Sequence, residues 1–368
     1  MQGRANNLVP GLGQAPDMHA MTDAGEEDAI EHSVSIIIPT FNGARRICNC
    51  LDALVRQTLG RKVEILVVDD GSTDNIADVV ARYSRVRLIR QANAGPAAAR
   101  NRGANESRGE ILLFTDDDCI PAPNWLEMMV EPFHDPDVVG AKGIYCTHQG
   151  SVVARFVQLE YEDRYRLMAS HDSIDFIDTY SAAFRRERFL EMKGYDTSFP
   201  VACAEDIELS YRMSRRGWKM KFAPAAEVAH THPDTLNRYL RKKYKFAFWR
   251  VLALSKNPGK TLKDSHTPQL MKLQLLFTPA LLTAFAVDQI VRPAPHLFLL
   301  VIVAFLASTI PFSFRAARKD PIVGISSPAL LAARSIAQML GISAGLINVL
   351  RRSAWERTGR TAERRALQ

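Results

Sequence analysis

The sequence predicts an α/β fold with a mostly parallel sheet flanked by helices, followed by C-terminal membrane-associated α-helices. Three observations carry this. Continuous apolar runs alternate with amphipathic segments over about ninety residues from position 33, the pattern of βαβ units. Each run ends in a polar or acidic turn, where ligands of such sheets bind. Residues 270–350 are far more apolar than the rest, so the 47% hydrophobic average of this 368-residue chain blends two environments.

SVSIIIPTFN (33–42) opens the ordered part as a strand buried on both faces. Helical spacing over 44–58 places Ile47, Leu51, Leu54 and Val55 on one stripe. VEILVVDDGSTD (63–74) repeats strand and acidic turn and leads into a helix, IADVVARYS; VRLIR (86–90) is a short strand. GPAAARNRGANES (95–107) is a small-residue helix, and EILLFTDDD (110–118) is the next strand. The middle stretch, 140–235, holds a helix around 151–168, a strand-like FIDTYSAAFRR (176–186) and the acidic segment AEDIELSYRMSRRGW (204–218).

Beyond 236 the character changes. RYLRKKYKFAFWR (238–250) reads as an amphipathic helix on a bilayer surface, with Tyr239, Tyr244, Phe246, Phe248 and Trp249 at the interface. Segments 273–291 and 293–314 are each about long enough to cross a bilayer, and the very short link makes them a hairpin. A third apolar stretch, 321–350, is divided by Arg334 and is expected to lie flat or re-enter. A buried pair of soluble helices is the competing reading. The organisation is thus a flexible tail (1–32), a catalytic domain (33–235), a basic interfacial region (236–268), membrane helices (269–352) and a basic cytoplasmic tail (353–368).

The net charge of +7 is concentrated late, beside apolar segments, and no nucleic-acid-binding pattern accompanies it. Membrane lipids are therefore the expected partners and nucleic acid is not. Basic residues on both outer flanks of the hairpin place the large domain in the cytoplasm, at the inner membrane. Five scattered cysteines offer no disulfide framework, Cys48-x-Cys50 included. Residues 1–32 lack the apolar core of a signal peptide.

The acidic turns carry the chemistry. Asp70 with Ser72, Thr73 and Asp74 could form a helix-capping turn. Asp116-Asp117-Asp118 resists that explanation, because clustered carboxylates raise one another's pKa unless a cation neutralises them. Hard oxygen ligands point to Mg²⁺ or Mn²⁺, and Mg²⁺ in such sites commonly bridges to substrate phosphates.

SIIIPTFN, VVDDGSTD, NAGPAAARNRG, FTDDDCIP and AEDIELSYRMSRRGW together, in order and spacing, resemble a family 2 inverting glycosyltransferase of the GT-A (Rossmann-like) fold over about 33–235, of the membrane-associated kind with C-terminal hydrophobic segments. The resemblance implies a nucleotide-diphosphate sugar donor and a lipid-linked or membrane-proximal acceptor. It implies that Pro39, Thr40, Phe41 and Asn42 line the base and ribose pocket, that Asp69 or Asp70 accepts from the base, and that Arg100 lies near the diphosphate or nucleoside. Asp116 and Asp118 take the two ends of the DXD metal motif, with Asp117 between them and close to the sugar. His230 of EVAHTHPD completes the metal site, with His232 as understudy. Asp206, beside Glu205, takes the general-base position, against the plainer reading that these acids favour a helix N-terminus. Asp178, Thr179 and Ser181 face the sugar or acceptor. The family's processive synthases carry a Gln-x-x-Arg-Trp motif that this sequence lacks, so transfer of a single sugar is expected, in exopolysaccharide, envelope glycan or glycolipid synthesis. A polyprenyl-phosphate sugar transferase and a non-catalytic nucleotide-sugar binding protein are the alternatives.

Overall fold

The computed structural model describes residues 33–57, 62–199, 203–257, 259, 264–290 and 296–366; the expected N-terminal tail and the hairpin link lie outside them. Strands β1 (Val34–Thr40), β2 (Val63–Asp69), β3 (Val86–Arg90) and β4 (Ile111–Phe114) are parallel, with β1 between β2 and β4. Every residue of β1 and β4 is buried, as continuous apolar runs require. Alternate side chains feed opposite faces: Ile36 and Ile38 enter one core, Ile37 the other. Register sets the site, because Thr40 pairs with Asp69 and Ile37 with Phe114, so three strand ends open on one edge.

Strands β5 (Ile120–Pro121), β6 (Val138–Cys146), β7 (Ala182–Arg185) and β8 (Lys219–Ala229) complete an eight-stranded sheet of order β3-β2-β1-β4-β7-β6-β8-β5. β7 runs antiparallel to β4 and β6, whereas β8 is parallel to β6. Ile120 pairs with Ala229, which carries the end of β8 back to the acidic loop after β4.

The flanking helices are α1 (Ile47–Gln57), α2 (Ile76–Val80), α3 (Pro96–Glu106), α4 (Trp125–Val130), α5 (Val152–Ala169), α6 (Arg186–Glu191) and α7 (Glu205–Arg215). Two expectations are corrected here. The helix after DDGSTD is only five residues long and gives way to turns that close on Tyr83 and Val86. FIDTYSAAFRR is extended as a ladder strand only at 182–185, after a 3₁₀ turn at Thr179–Ser181. Its polar groups find side-chain partners instead of ladder bonds: Asp178 pairs with Lys142 of β6, and Ser181 accepts from Trp125 of α4.

Beyond the sheet come α8 (Leu236–Lys256), α9 (Gln269–Ile290), α10 (His296–Lys319) and α11 (Pro321–Ala366). Among the described residues, three helices are long and apolar enough to cross a membrane, with mean hydropathies of 1.6 for α9, 2.4 for α10 and 1.5 for Pro321–Arg351. The first two are mostly uncovered by protein, whereas 44% of the apolar window of the third is buried. Arg334 does not divide that segment, which is one continuous helix. Its guanidinium is buried against Glu160 (2.7 Å) and Gln274 (2.5 Å). Nor do all the α8 aromatics face outward. Tyr239 is buried against Phe156 and donates to Glu160, and Phe246, Phe248 and Trp249 are half-buried, leaving Tyr244 exposed. α8 is covered instead by α11, whose Gly341 and Gly345 let the helices approach at Tyr244 and Phe248.

Candidate active site

The three consecutive aspartates after β4 point to three different partners. Asp116 accepts from Arg100 of α3 at 2.7 Å. Asp117 accepts from Thr40 (2.6 Å) and from two nitrogens of Arg46 (2.7 and 2.9 Å). Asp118 faces His230, whose Nδ1 lies 3.6 Å away. Asp117 is therefore a brace between the loop and the end of β1. Burial pushes its carboxyl up, and Arg46 and Thr40 work against that shift. Gly43 is required beside it, since a Cβ there would fall on Thr40 Oγ1 and Asp117 Oδ2.

The DDGS turn is organised by its own acids. Asp69 accepts from Ser72 N–H (2.8 Å) and Arg90 (3.0 Å). Asp70 accepts from Gln91 and from the backbone N–H groups of Ala94 and Gly95 at 2.7–2.9 Å, tying β2 to the start of α3. Gly71 takes the left-handed backbone that the turn needs. Pro39 and Thr40 are buried, while Phe41 and Asn42 are exposed at the mouth. Asn42 bonds Ser72 and Thr73 across the two turns and itself adopts a positive φ of 51°.

Among the described residues, Asp118, Cys119 and His230 offer ligand atoms within 4.8 Å of one another; Asp116 stands outside that group. Its donor chemistry fits a hard divalent ion. His230 Nδ1 is buried, has no hydrogen-bond partner among the described residues and lies 3.6 Å from the Asp118 carboxylate. Burial alone would raise Asp118, but the His230 imidazole beside it outweighs that effect and holds the group below its ordinary range. Cys119 is fully buried, its thiol pushed well up by that burial, which leaves a soft and protonated sulfur a poor ligand for Mg²⁺ or Mn²⁺. His230 is steadied by stacking on Tyr145 at 4.5 Å. His232 belongs to the core: burial brings it down to about 3, and its Nε2 meets Gln158 at 3.0 Å.

The acidic N-terminus of α7 separates its two acids. Glu205 is buried and fully engaged, with Arg100 at 3.2 Å and the N–H groups of Cys203 and Ala204 at 2.8 and 3.0 Å. Asp206 is half-buried, and the Ile207 N–H is the one hydrogen bond to its carboxylate among the described residues. Burial, then the charges of Glu205 and Asp178, push Asp206 well above the carboxylate range. Arg100 links Asp116 to Glu205; burial opposes its charge, but those two carboxylates raise its pKa.

Asp178 pairs with Lys142, which also donates to Tyr180 at 2.7 Å. Burial pushes the acid up and the lysine down, each offset by the other. Thr179 is buried beside them. The expectation that Ser181 faces the acceptor is not met: it is fully buried and bonded to Trp125 and Met129. Sequence reasoning missed Arg46 and Lys142. Both left a signal: a cation just before a helix N-terminus opposes the dipole, and a lysine inside an apolar strand needs a buried partner.

Residues 35–191 match the model of the glycosyl transferase family 2. The chain is 25% identical over 237 residues to the pre-mycofactocin glycosyltransferase of Mycobacterium tuberculosis, covering 62% of this chain and 49% of that protein. It is 32% identical over 212 residues to the glycosyltransferase AglE of Haloferax volcanii, covering 54% and 66%. The chain thus spans about half the length of the first of these relatives. In three dimensions it resembles the mannosyltransferase PcManGT from Pyrobaculum calidifontis, solved in complex with GDP-Man and Mn²⁺, with a TM-score of 0.58, 21% identity and coverage of 86% and 87% of the two chains. That likeness bears on the fold, and it extends through the C-terminal helices as well as the sheet. The strand-end motifs, their shared edge and these matches agree: over residues 35–191 this chain carries a glycosyl transferase family 2 domain, seated on the GT-A fold.

Proposed function

We propose that the protein is an inverting glycosyltransferase that moves one sugar from a nucleotide-diphosphate donor to an acceptor hydroxyl at a membrane, in exopolysaccharide, envelope glycan or glycolipid synthesis. The observation that carries this reading is the approach of His230 Nδ1 to Asp118 at 3.6 Å, on the loop whose Asp116 is tied through Arg100 to Glu205, the neighbour of Asp206.

In this reading Phe41 and Asn42 bound the nucleoside from the mouth, over the rigid turns that Asp69 and Asp70 hold. Asp118 and His230 would hold Mg²⁺ or Mn²⁺, which when bound offsets negative charge on the departing diphosphate. Arg100, fixed between Asp116 and Glu205, adds a buried positive charge behind the same group. Asp206 takes the proton of the acceptor hydroxyl as its oxygen attacks the anomeric carbon from the face opposite the diphosphate. A carboxylate raised by burial and by Glu205 is a stronger base than one in water, and its free oxygen gives the proton a place to go. Asp178, neutralised by Lys142, shapes the acceptor side without competing for that proton.

The membrane part of the proposal rests on α9 and α10, and the cytoplasmic orientation on Arg315, Arg318 and Lys319 at the end of α10. Nucleotide-sugar donors, tested one by one against the purified protein with Mn²⁺ and read as nucleotide-diphosphate release, are expected to single out one donor. Failure of every donor to be bound or turned over overturns the reading.

A further inference from the structure

A cavity of about 490 Å³ opens where the α/β domain meets the C-terminal helices, between α5, α9, α10 and α11. That volume is within the range of small-ligand pockets, about 300–1,000 Å³. It shares no residue with the candidate active site. Four arginines (164, 166, 315 and 334) line it against two acids, Glu160 and Asp163, an excess of two positive charges.

The two acids are saturated. Asp163 takes both Arg315 (2.9 and 2.8 Å) and Arg166 (3.0 Å). Glu160 takes Arg334 at 2.7 Å and, from α8, Lys243 at 2.9 Å. Arg164 meets no carboxylate among the described residues and lies over the Tyr161 ring at 5.7 Å. Arg334 is 4% exposed, and among the described residues its buried Nε meets no acceptor. Unsatisfied guanidinium donors beside an excess of positive charge call for an anionic oxygen ligand, and the planar fork of arginine suits phosphate.

The facing wall is apolar, formed by Leu270 and Met271 of α9, Phe312 of α10 and Leu331 of α11. Leu273 and Leu276 follow Leu270 along α9 at three-residue spacing, and all three are exposed. A free phosphate would satisfy the arginines and leave that wall bare; a lipid satisfies both. We propose that this cavity binds the phosphate-bearing head group of an anionic membrane lipid, its phosphoryl oxygens on Arg164 and Arg334 and its apolar chain along Leu270 and Phe312. The proposal rests on α9 and α10 lying in a bilayer and is independent of the transfer chemistry.

The test uses the full chain, extracted in a sugar-head-group detergent and stripped of lipid. Short-chain phosphatidylglycerol, short-chain phosphatidylcholine and inorganic phosphate are titrated separately, with adducts read by native mass spectrometry and the unfolding midpoint followed in parallel. Phosphatidylglycerol is expected to bind at one site and raise the midpoint, phosphatidylcholine to bind at least about tenfold more weakly, and phosphate to bind more weakly still. Arg164→Gln breaks no ion pair, so it should weaken phosphatidylglycerol about tenfold while leaving the lipid-free midpoint unchanged. Arg334→Gln should weaken binding too, and its effect on folding through Glu160 is what makes Arg164→Gln the deciding variant. Equal binding of the two lipids, phosphate bound as tightly as phosphatidylglycerol, or binding untouched by Arg164→Gln overturns the proposal.

Discussion

Two regions of this molecule bury charge, and they do so differently. At the junction of α5, α8 and α11, the Glu160 carboxylate is closed on all sides by Tyr239, Lys243 and Arg334. Burial opposes its ionisation, yet Lys243 and Arg334 hold it down at about 2. At the strand-end edge, Asp118 and Asp206 keep oxygens free, His230 Nδ1 has no partner, and Asp206 is pushed up rather than down. The Glu160 carboxylate is satisfied by its own neighbours; the carboxylates of the strand-end edge are electrostatically unfinished. Perturbation that is relieved internally marks structure, and perturbation left standing in an open site marks chemistry.

The sharpest break of that contrast comes from Asp206→Asn. Transfer to a hydroxyl acceptor is expected to fall about 10²–10⁴-fold, the usual share of a general base. The unfolding midpoint at neutral pH should hold or rise, because a carboxyl raised in the folded state destabilises that state once it ionises. Retained activity would point instead to a phosphate acceptor that needs no base. Arg334→Ala tests the other region: it strands the buried Glu160 charge and should cost about 3–5 kcal/mol in denaturant unfolding. Pairing it with Glu160→Gln should recover much of the loss, and no recovery would mean that the charge pairing is not what matters.

Smaller in effect, Gly43→Ala drives a methyl into the Thr40–Asp117 bond and should destabilise by about 1–3 kcal/mol, visible in the same assay, with donor affinity lowered. The gentlest probe is pH. Asp206 works only when deprotonated, so activity should fall as pH drops through its folded pKa. That acid limb should lie above the ordinary carboxylate value of about 4. The stabilisation from Glu160 has the opposite sign of shift: it is present above about pH 4.3 and is lost as pH falls towards about 2. A limb at the ordinary value would remove the argument for a burial-raised base.

Much of the site was legible. The strand ends PTFN, DDGSTD and TDDD were placed on one edge by their apolar runs alone, and parallel register confirms the meeting of Thr40 with Asp69. The division of labour within each acidic cluster was not legible. Nothing local distinguishes Asp117 from Asp118; the guanidinium of Arg46, 71 positions earlier, does. Glu205 and Asp206 are likewise neighbours in sequence, and only the arrival of Arg100 from α3, more than a hundred positions away, makes one a strut and leaves the other open. Arg334 was misread as an interruption because a charge in an apolar segment is costly only until its partner is known, and Glu160 lies 174 positions earlier.

What the sequence determined by itself was the order of strands and helices as far as β4, the parallel character of the first sheet half, the edge that its acidic turns share and the apolar character of the C-terminal helices. These depend on period, run length and turn residues, which are local. Tertiary structure alone decided which carboxylate is satisfied and which is left open, that β8 returns His230 to Asp118, and that α11 packs along α8 with a basic cavity at its side. Those depend on long-range pairing of charges in a poorly screened interior, where a single partner reverses what a residue can do.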